Sequence, residues 1–153
     1  FPQIVKDEKS SAKKEEKEVE LDILGLDIDH RMIEIAKKNA KKAGVEQDIL
    51  FKQMQLQDFH TDKEYGVLVS NPPYGERLGD RPQMKQLYRE MGEILRPMDT
   101  WSRYILTSDL LFEEHVGMQA TKKRKLYNGA IRTDYFQFWG KRRPRIQSER
   151  IEK

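Results

Sequence analysis

Tyr65-Gly66-Val67-Leu68-Val69-Ser70 runs straight into Asn71-Pro72-Pro73-Tyr74, so a short apolar stretch ends on a rigid polar lip. The apolar run shows little alternation, as expected of a strand in a parallel sheet covered on both faces. Two successive prolines forbid helix, remove two backbone donors and force extended geometry on the residues before them. A simple loop could use that stiffness, but it would need neither the amide before the prolines nor the ring after them. An amide, two prolines and an aromatic ring at the end of a strand suit the holding of a flat, amino-bearing ring such as a nucleobase.

Upstream, Lys6 to Glu20 is a mixed-charge run with little to bury, which reads as a solvent-facing helix or a flexible arm. Leu21 to Asp27 then forms an apolar strand, and Asp29 can cap a following helix. The apolar positions of that helix are Met32, Ile33, Ile35, Ala36, Ala40 and Ala43, and Gly44 supplies a left-handed stop. Ile49-Leu50-Phe51 starts another strand, with Asp58-Phe59 in the turn after it. Downstream, Met84, Leu87, Tyr88, Met91, Ile94 and Leu95 mark an amphipathic helix that must end before Pro97. Trp101 to Thr107 is the next strand, and Ser108 or Asp109 starts a short helix ending near Gly117. Lys123 to Tyr127 and Ile131 to Trp139 flank Asn128-Gly129, a strong hairpin signal. This order predicts an open, mostly parallel α/β sheet with an antiparallel pair at one edge.

A chain of 153 residues is expected to form one domain with a real core. Its apolar fraction of 37% is low, but the apolar residues are clustered, which argues against wholesale disorder. No apolar run reaches the length of a membrane span, and no signal-peptide pattern opens the sequence. With no cysteine there is no disulfide framework or thiolate metal site, which fits a cytoplasmic location. His30, His60 and His115 show no ligand spacing, so no metal is expected.

In an open α/β sheet, ligands bind beyond the carboxyl ends of the strands. Three strands deliver polar groups to that edge: Asp27, Asp58 and Asn71. Two carboxylate oxygens on Asp27 match the adjacent hydroxyls of a ribose. Asp58 could accept from an adenine amino group with Phe59 packed on the ring, although the pair alone reads as a polar turn beside a core phenylalanine. At the lip, the amide oxygen of Asn71 and the carbonyl of Pro72 form two acceptors facing one amino group. An exocyclic amine on a base is a poor nucleophile, because its lone pair is delocalised into the ring. Acceptors on its hydrogens favour the pyramidal form, with the lone pair aimed at an incoming carbon. Tyr74 would stack on the base, a contact worth roughly 1–3 kcal/mol. The base must leave its helix or loop to arrive there.

Net charge is only +3, but residues 119–153 carry eleven Lys/Arg against three acids. Lys122, Lys123, Arg124, Lys125, Arg132, Lys141, Arg142 and Arg143 bracket the hairpin, and phosphate contacts from them would supply affinity and salt sensitivity. A solvated basic tail without a partner is the plainer alternative. The aromatics interleaved there, Tyr127, Tyr135, Phe136, Phe138 and Trp139, fit the buried face of the last strand better than a stacking platform.

Four blocks give this chain a family resemblance: Gly25-Leu26-Asp27-Ile28-Asp29 with Arg31 to Ala36, Asn71-Pro72-Pro73-Tyr74-Gly75-Glu76-Arg77-Leu78, Trp101 to Ser108, and Lys122 to Gly129. Over residues 19 to 143 it resembles the Rossmann-fold, S-adenosylmethionine-dependent methyltransferases of base amino groups. More narrowly, it is similar to the bacterial large-subunit ribosomal RNA guanine-N2-methyltransferases, often labelled as N6-adenine-specific DNA methylases. The resemblance implies S-adenosyl-L-methionine as cofactor, with Asp27 on its ribose, Ile28 and Phe59 against its adenine and Asp58 on the adenine amine. It implies Asn71, Pro72, Pro73 and Tyr74 at the target base, with Asn71 also beside the cofactor. Ribosomal RNA is the implied partner, held by Arg77, Lys122, Lys123, Arg124, Lys125, Arg142 and Arg143. Residues 1–18 would be a charged helix or flexible arm, 19–143 an incomplete catalytic domain and 144–153 a basic tail. A DNA adenine-N6 methyltransferase and a noncatalytic nucleic-acid-binding module are the alternatives.

Two features depart from the family pattern. Its glycine-rich turn after the first strand is absent, since the nine glycines never form Gly-x-Gly. The family's amino-terminal RNA-binding domain is absent as well. The expected architecture is therefore a partial Rossmann-like fold without its first, central strand, a fragment of a longer parent with two unpaired sheet edges. Such a piece alone should bind S-adenosylmethionine weakly or not at all, and a calorimetric titration giving micromolar affinity for the 153-residue chain would refute that.

Overall fold

The mixed-charge opening folds as helix α1 (Pro2–Lys14), with proline in its first turn, where a missing N–H costs nothing, and no buried residue. It starts and ends earlier than the charge pattern suggests. The computed structural model describes residues 1–15, 17, 19–73 and 81–144. Two units divide the chain, Phe1–Gln55 and Leu56–Lys153.

In the first unit, strand β1 (Ile23–Asp27) pairs in parallel with β2 (Ile49–Gln53), Asp27 lying opposite Gln53. Helix α2 (His30–Ala43) joins them. Asp29 caps it, its Oδ1 accepting the Arg31 backbone N–H at 2.8 Å, and Gly44 ends it at φ 74°, as the sequence led us to expect. The Arg31 guanidinium also grips the Asp29 carboxylate at 2.7 Å and holds it below the usual carboxylate range.

The second unit is a four-stranded sheet in the order β3-β4-β6-β5. Strand β3 (Val67–Ser70) runs parallel to β4 (Ser102–Thr107). The hairpin of β5 (Lys122–Asn128) and β6 (Ile131–Phe138) joins β4 antiparallel through β6. The α/β class and the terminal hairpin agree with the sequence. Because the second strand of the hairpin, rather than the first, inserts beside β4, two of the three pairings in this sheet are antiparallel. Expected boundaries also tighten: Tyr65 has a positive φ of 59° and stands before β3, not in it.

Helix α3 (Arg81–Leu95) and the short α4 (Phe112–Val116) pack on one sheet face. Asp109 does not start α4 as expected; its Oδ1 accepts the Leu111 N–H at 3.0 Å, turning the chain before the helix. The core between helices and sheet is Met84, Tyr88, Met91, Leu95, Ile105, Phe112, Val116, Phe136 and Phe138. Phe136 and Phe138 thus take the buried role assigned to the last strand, whereas Trp139 is exposed. Arg103, buried on the same face, donates from Nη1 to the Leu95 carbonyl at 2.8 Å and so closes the carboxyl end of α3. Burial lowers its pKa, and the charge of Asp99 opposes that. The other face differs from expectation: Val67 and Val69 are 64% and 74% exposed, so β3 is covered on one face only among the described residues. No helix among these residues is long and apolar enough to cross a membrane.

Gly92 sits where α3 meets α4, and a Cβ there would fall 2.0 Å from the Val116 carbonyl oxygen. Backbone cannot rotate out of the way, so a methyl group forces the helices apart. Overpacking of this kind costs about 1–3 kcal/mol or more, against about 1 kcal/mol of helix propensity gained from alanine. Gly92→Ala should therefore lower the thermal unfolding midpoint of the chain by several degrees; an increase would contradict the close packing described here.

Candidate active site

Site residues expected from the sequence fall in both units. In the first, β1 ends on Asp27, which is half-buried and accepts the Asp29 N–H on Oδ1 at 2.8 Å. Among the described residues its Oδ2 has no hydrogen bond. A carboxylate oxygen carries two lone pairs, so the group keeps capacity for hydroxyl donors. Ile28, next in sequence, is 64% exposed, and its carbonyl accepts from Gln53 Nε2 at 3.0 Å. An open carboxylate beside an exposed aliphatic side chain suits a ribose and the face of an attached base.

In the second unit, Asp58 ends a 3-10 turn (Leu56–Asp58) and is exposed, with Phe59 half-buried behind it. Leu56 packs on the core, and Gln57 hydrogen-bonds Glu90 on α3. Asn71 follows β3 and is exposed; Pro72 is buried and Pro73 exposed. The Pro73 carbonyl accepts a hydrogen bond from the Tyr88 hydroxyl at 3.2 Å. Both the Asp58 turn and the proline lip are thus tied to α3, two residues apart on that helix. Tyr74 and Arg77 lie outside the described residues.

The register of the sheet locates the basic residues. Continuing one step past the Ser70–Ile105 pair, Asn71 falls in the row Leu106, Tyr135, Arg124. Three strand spacings make this roughly 14 Å. Lys122 sits two residues nearer the amino-terminal edge, beside Gln137. Lys123 points to the helix side, where its ammonium meets Glu113 at 3.2 Å and lies 5.3 Å from the Phe136 ring centroid. Lys125 lies over Tyr127 at 5.4 Å, and Arg132 bonds both carboxylate oxygens of the buried Asp134 at 3.3 Å. Lys122 and Arg124 make no ion pair among the described residues. Arg142 is exposed, in the segment following β6. Arg143 stacks on Tyr65 at 5.2 Å, at the amino end of β3 and hence the edge opposite Asn71.

Tyr88 and Thr107, whose hydroxyl oxygens lie 2.8 Å apart behind the lip, were not legible in the sequence as its partners. Tyr88 was legible only as an apolar position on an amphipathic helix. The available signal was its hydroxyl, which a fully buried tyrosine must satisfy.

A family model described as UPF0020, RMKL-like, methyltransferase domain, matches residues 2–137. The chain belongs to this family. Among its relatives, the Bacillus subtilis protein named "Putative RNA methyltransferase YpsC" is 59% identical over 124 residues, covering 81% of this chain and 32% of the relative. A "Ribosomal RNA large subunit methyltransferase K/L" from Syntrophotalea carbinolica is 37% identical over 114 residues, covering 71% of this chain and 16% of that protein. A solved structure, "Crystal structure of SMU.472, a putative methyltransferase complexed with SAH", superposes with a TM-score of 0.83 at 51% identity, covering 89% of this chain and 36% of the other. The chain therefore spans a third or less of the length of the curated relatives it matches. In this RMKL-like domain the fold class expected from the sequence is the fold of the solved neighbour.

Proposed function

We propose that this RMKL-like domain is part of an S-adenosylmethionine-dependent RNA methyltransferase acting on an exocyclic base amine, guanine N2 of large-subunit ribosomal RNA. The observation that carries the reading is the lip at the carboxyl end of β3: exposed Asn71, buried Pro72, and Pro73 tied by its carbonyl to a buried tyrosine. Support comes from membership in a methyltransferase family, from relatives named as RNA methyltransferases and from a neighbour complexed with SAH.

When bound, the cofactor's sulfonium supplies the methyl group. Asp27 would hold its ribose, Ile28 and Phe59 the adenine faces, and Asp58 the adenine amine. The Asn71 amide oxygen and the Pro72 carbonyl would accept the hydrogens of the target amine and turn its lone pair outward, while Tyr74 stacks on the base. No covalent enzyme intermediate is needed, so positioning supplies most of the acceleration. Arg124, with Lys122, faces away from the helices and would meet phosphates; Lys125, Arg77, Arg142 and Arg143 are further candidates, and Lys123 is the weakest because Glu113 already pairs with it.

Two experiments test this. The full-length protein carrying this sequence, given tritiated cofactor with separate ribosomal RNA and DNA substrates, should label the RNA at guanine N2. Labelled adenine in DNA would overturn the substrate assignment. Asn71→Ala should abolish labelling with little change in RNA binding, whereas a pure binding module would show no labelling to lose. In salt titrations of RNA affinity, Arg124→Ala should reduce the slope of log K against log [salt] by about one contact's worth, roughly 0.7–0.9. Lys123→Ala should change it less, and equal slopes for the two variants would remove the distinction between the hairpin faces.

A further inference from the structure

The two prolines at the lip leave one loose torsion. Their rings fix φ at residues 72 and 73, but ψ of Pro73 still decides where its carbonyl points and how the chain leaves the lip. That carbonyl is the acceptor of the Tyr88 hydroxyl at 3.2 Å. Tyr88 is itself completely buried, its ring meeting Phe112 edge-on with centroids 5.0 Å apart. Its oxygen lies 2.8 Å from Thr107 Oγ1, which is also fully buried at the carboxyl end of β4. The Thr107 oxygen accepts the Asp109 backbone N–H at 3.1 Å, and the Asp109 carboxylate pairs with His115 Nδ1 at 2.6 Å.

One direction of hydrogen bonding satisfies these contacts together. Asp109 N–H donates to the Thr107 oxygen, the Thr107 hydroxyl donates to the Tyr88 oxygen, and the Tyr88 hydroxyl donates to Pro73. A buried phenol oxygen needs partners, and phenylalanine would fill the same space without needing any. The hydroxyl therefore contributes direction rather than packing volume.

We propose that Tyr88 is a positioning residue for base methylation: backed by Thr107, it fixes the Pro73 carbonyl and through it the aim of Asn71. The inference rests on the methyltransferase reading above and adds to it a residue that touches neither base nor cofactor. Displacement of a reacting group by about 1 Å can cost about a hundredfold in rate, so a loosened lip should show in turnover before it shows in cofactor binding.

The test is Tyr88→Phe, with Thr107→Val as a second variant that leaves the phenol in place. In the full-length protein, Tyr88→Phe should lower kcat about tenfold or more while KM for S-adenosylmethionine stays within about twofold. Thr107→Val should move kcat the same way by a smaller factor. Both variants should stay cooperatively folded, with thermal midpoints lowered by no more than several degrees for the buried groups left without a partner. A second readout is independent of activity: in the labelled protein, Tyr88→Phe should shift the Pro73 carbonyl carbon resonance and the Asn71 side-chain amide pair. Unchanged kcat in an active enzyme overturns the positioning role and leaves the proposed activity standing. Should the parent protein methylate nothing, the proposed activity falls, and the resonances still decide the present inference: an unmoved Asn71 amide overturns it and a displaced one upholds it.

Discussion

Between Gly92 and the carbonyl oxygen of Val116 there is no room for a side chain, so α3 and α4 meet at backbone distance. That close approach seats α3 on the sheet and so decides where its other residues fall. One turn earlier, Tyr88 reaches the carbonyl of Pro73; beside it, Glu90 receives Gln57 from the turn that carries Asp58. At its end, Leu95 is closed by the buried guanidinium of Arg103. A single helix thus sets the proline lip, the acidic turn and the depth of the core. A change of helix spacing would be felt at every one of these points, because close-packed interiors pass strain on rather than absorb it.

The basic hairpin is less uniform than its composition suggests. Alternation along β5 sends Lys123 and Lys125 to the helix side and leaves Lys122 and Arg124 on the other. Glu113 answers Lys123 and also accepts the Ala120 backbone N–H at 2.8 Å, so one carboxylate both neutralises a cation and holds the approach to the strand. Asp134, buried in the sheet, likewise neutralises Arg132. The positive field outside the hairpin is accordingly narrower than a count of lysines and arginines implies.

Much of the fold was legible because it is written in local rules. Asp29 and Gly44 mark helix ends by side-chain capping and by left-handed backbone, and Asn128-Gly129 marks the hairpin to within one residue, its two-residue turn being Gly129-Ala130 with Asn128 still paired to Ile131. Asn71 and its prolines were legible because their bland explanation is strained. What escaped was non-local. The insertion of β6 between β4 and β5 depends on which strand of the hairpin pairs with β4, which periodicity does not say. The one-sided cover of β3 depends on where the helices pack. Tyr88 looked like another apolar residue, since the use of a hydroxyl depends on a carbonyl fifteen residues away in sequence. The stacking of Arg143 on Tyr65 joins two segments that no motif connects.

Because β6 lies inside the sheet and β5 at its margin, the later-synthesised strand of the hairpin is the interior one. Phe136 and Phe138, which complete the core of this unit, follow every other member of it in sequence. Until they emerge from the ribosome, β4 lacks a neighbour on one side and α4 lacks the rings it packs against. Sheets closed by distant segments assemble late and slowly. The nascent unit therefore carries an unfinished, sticky surface until β6 emerges, and becomes cooperative only then.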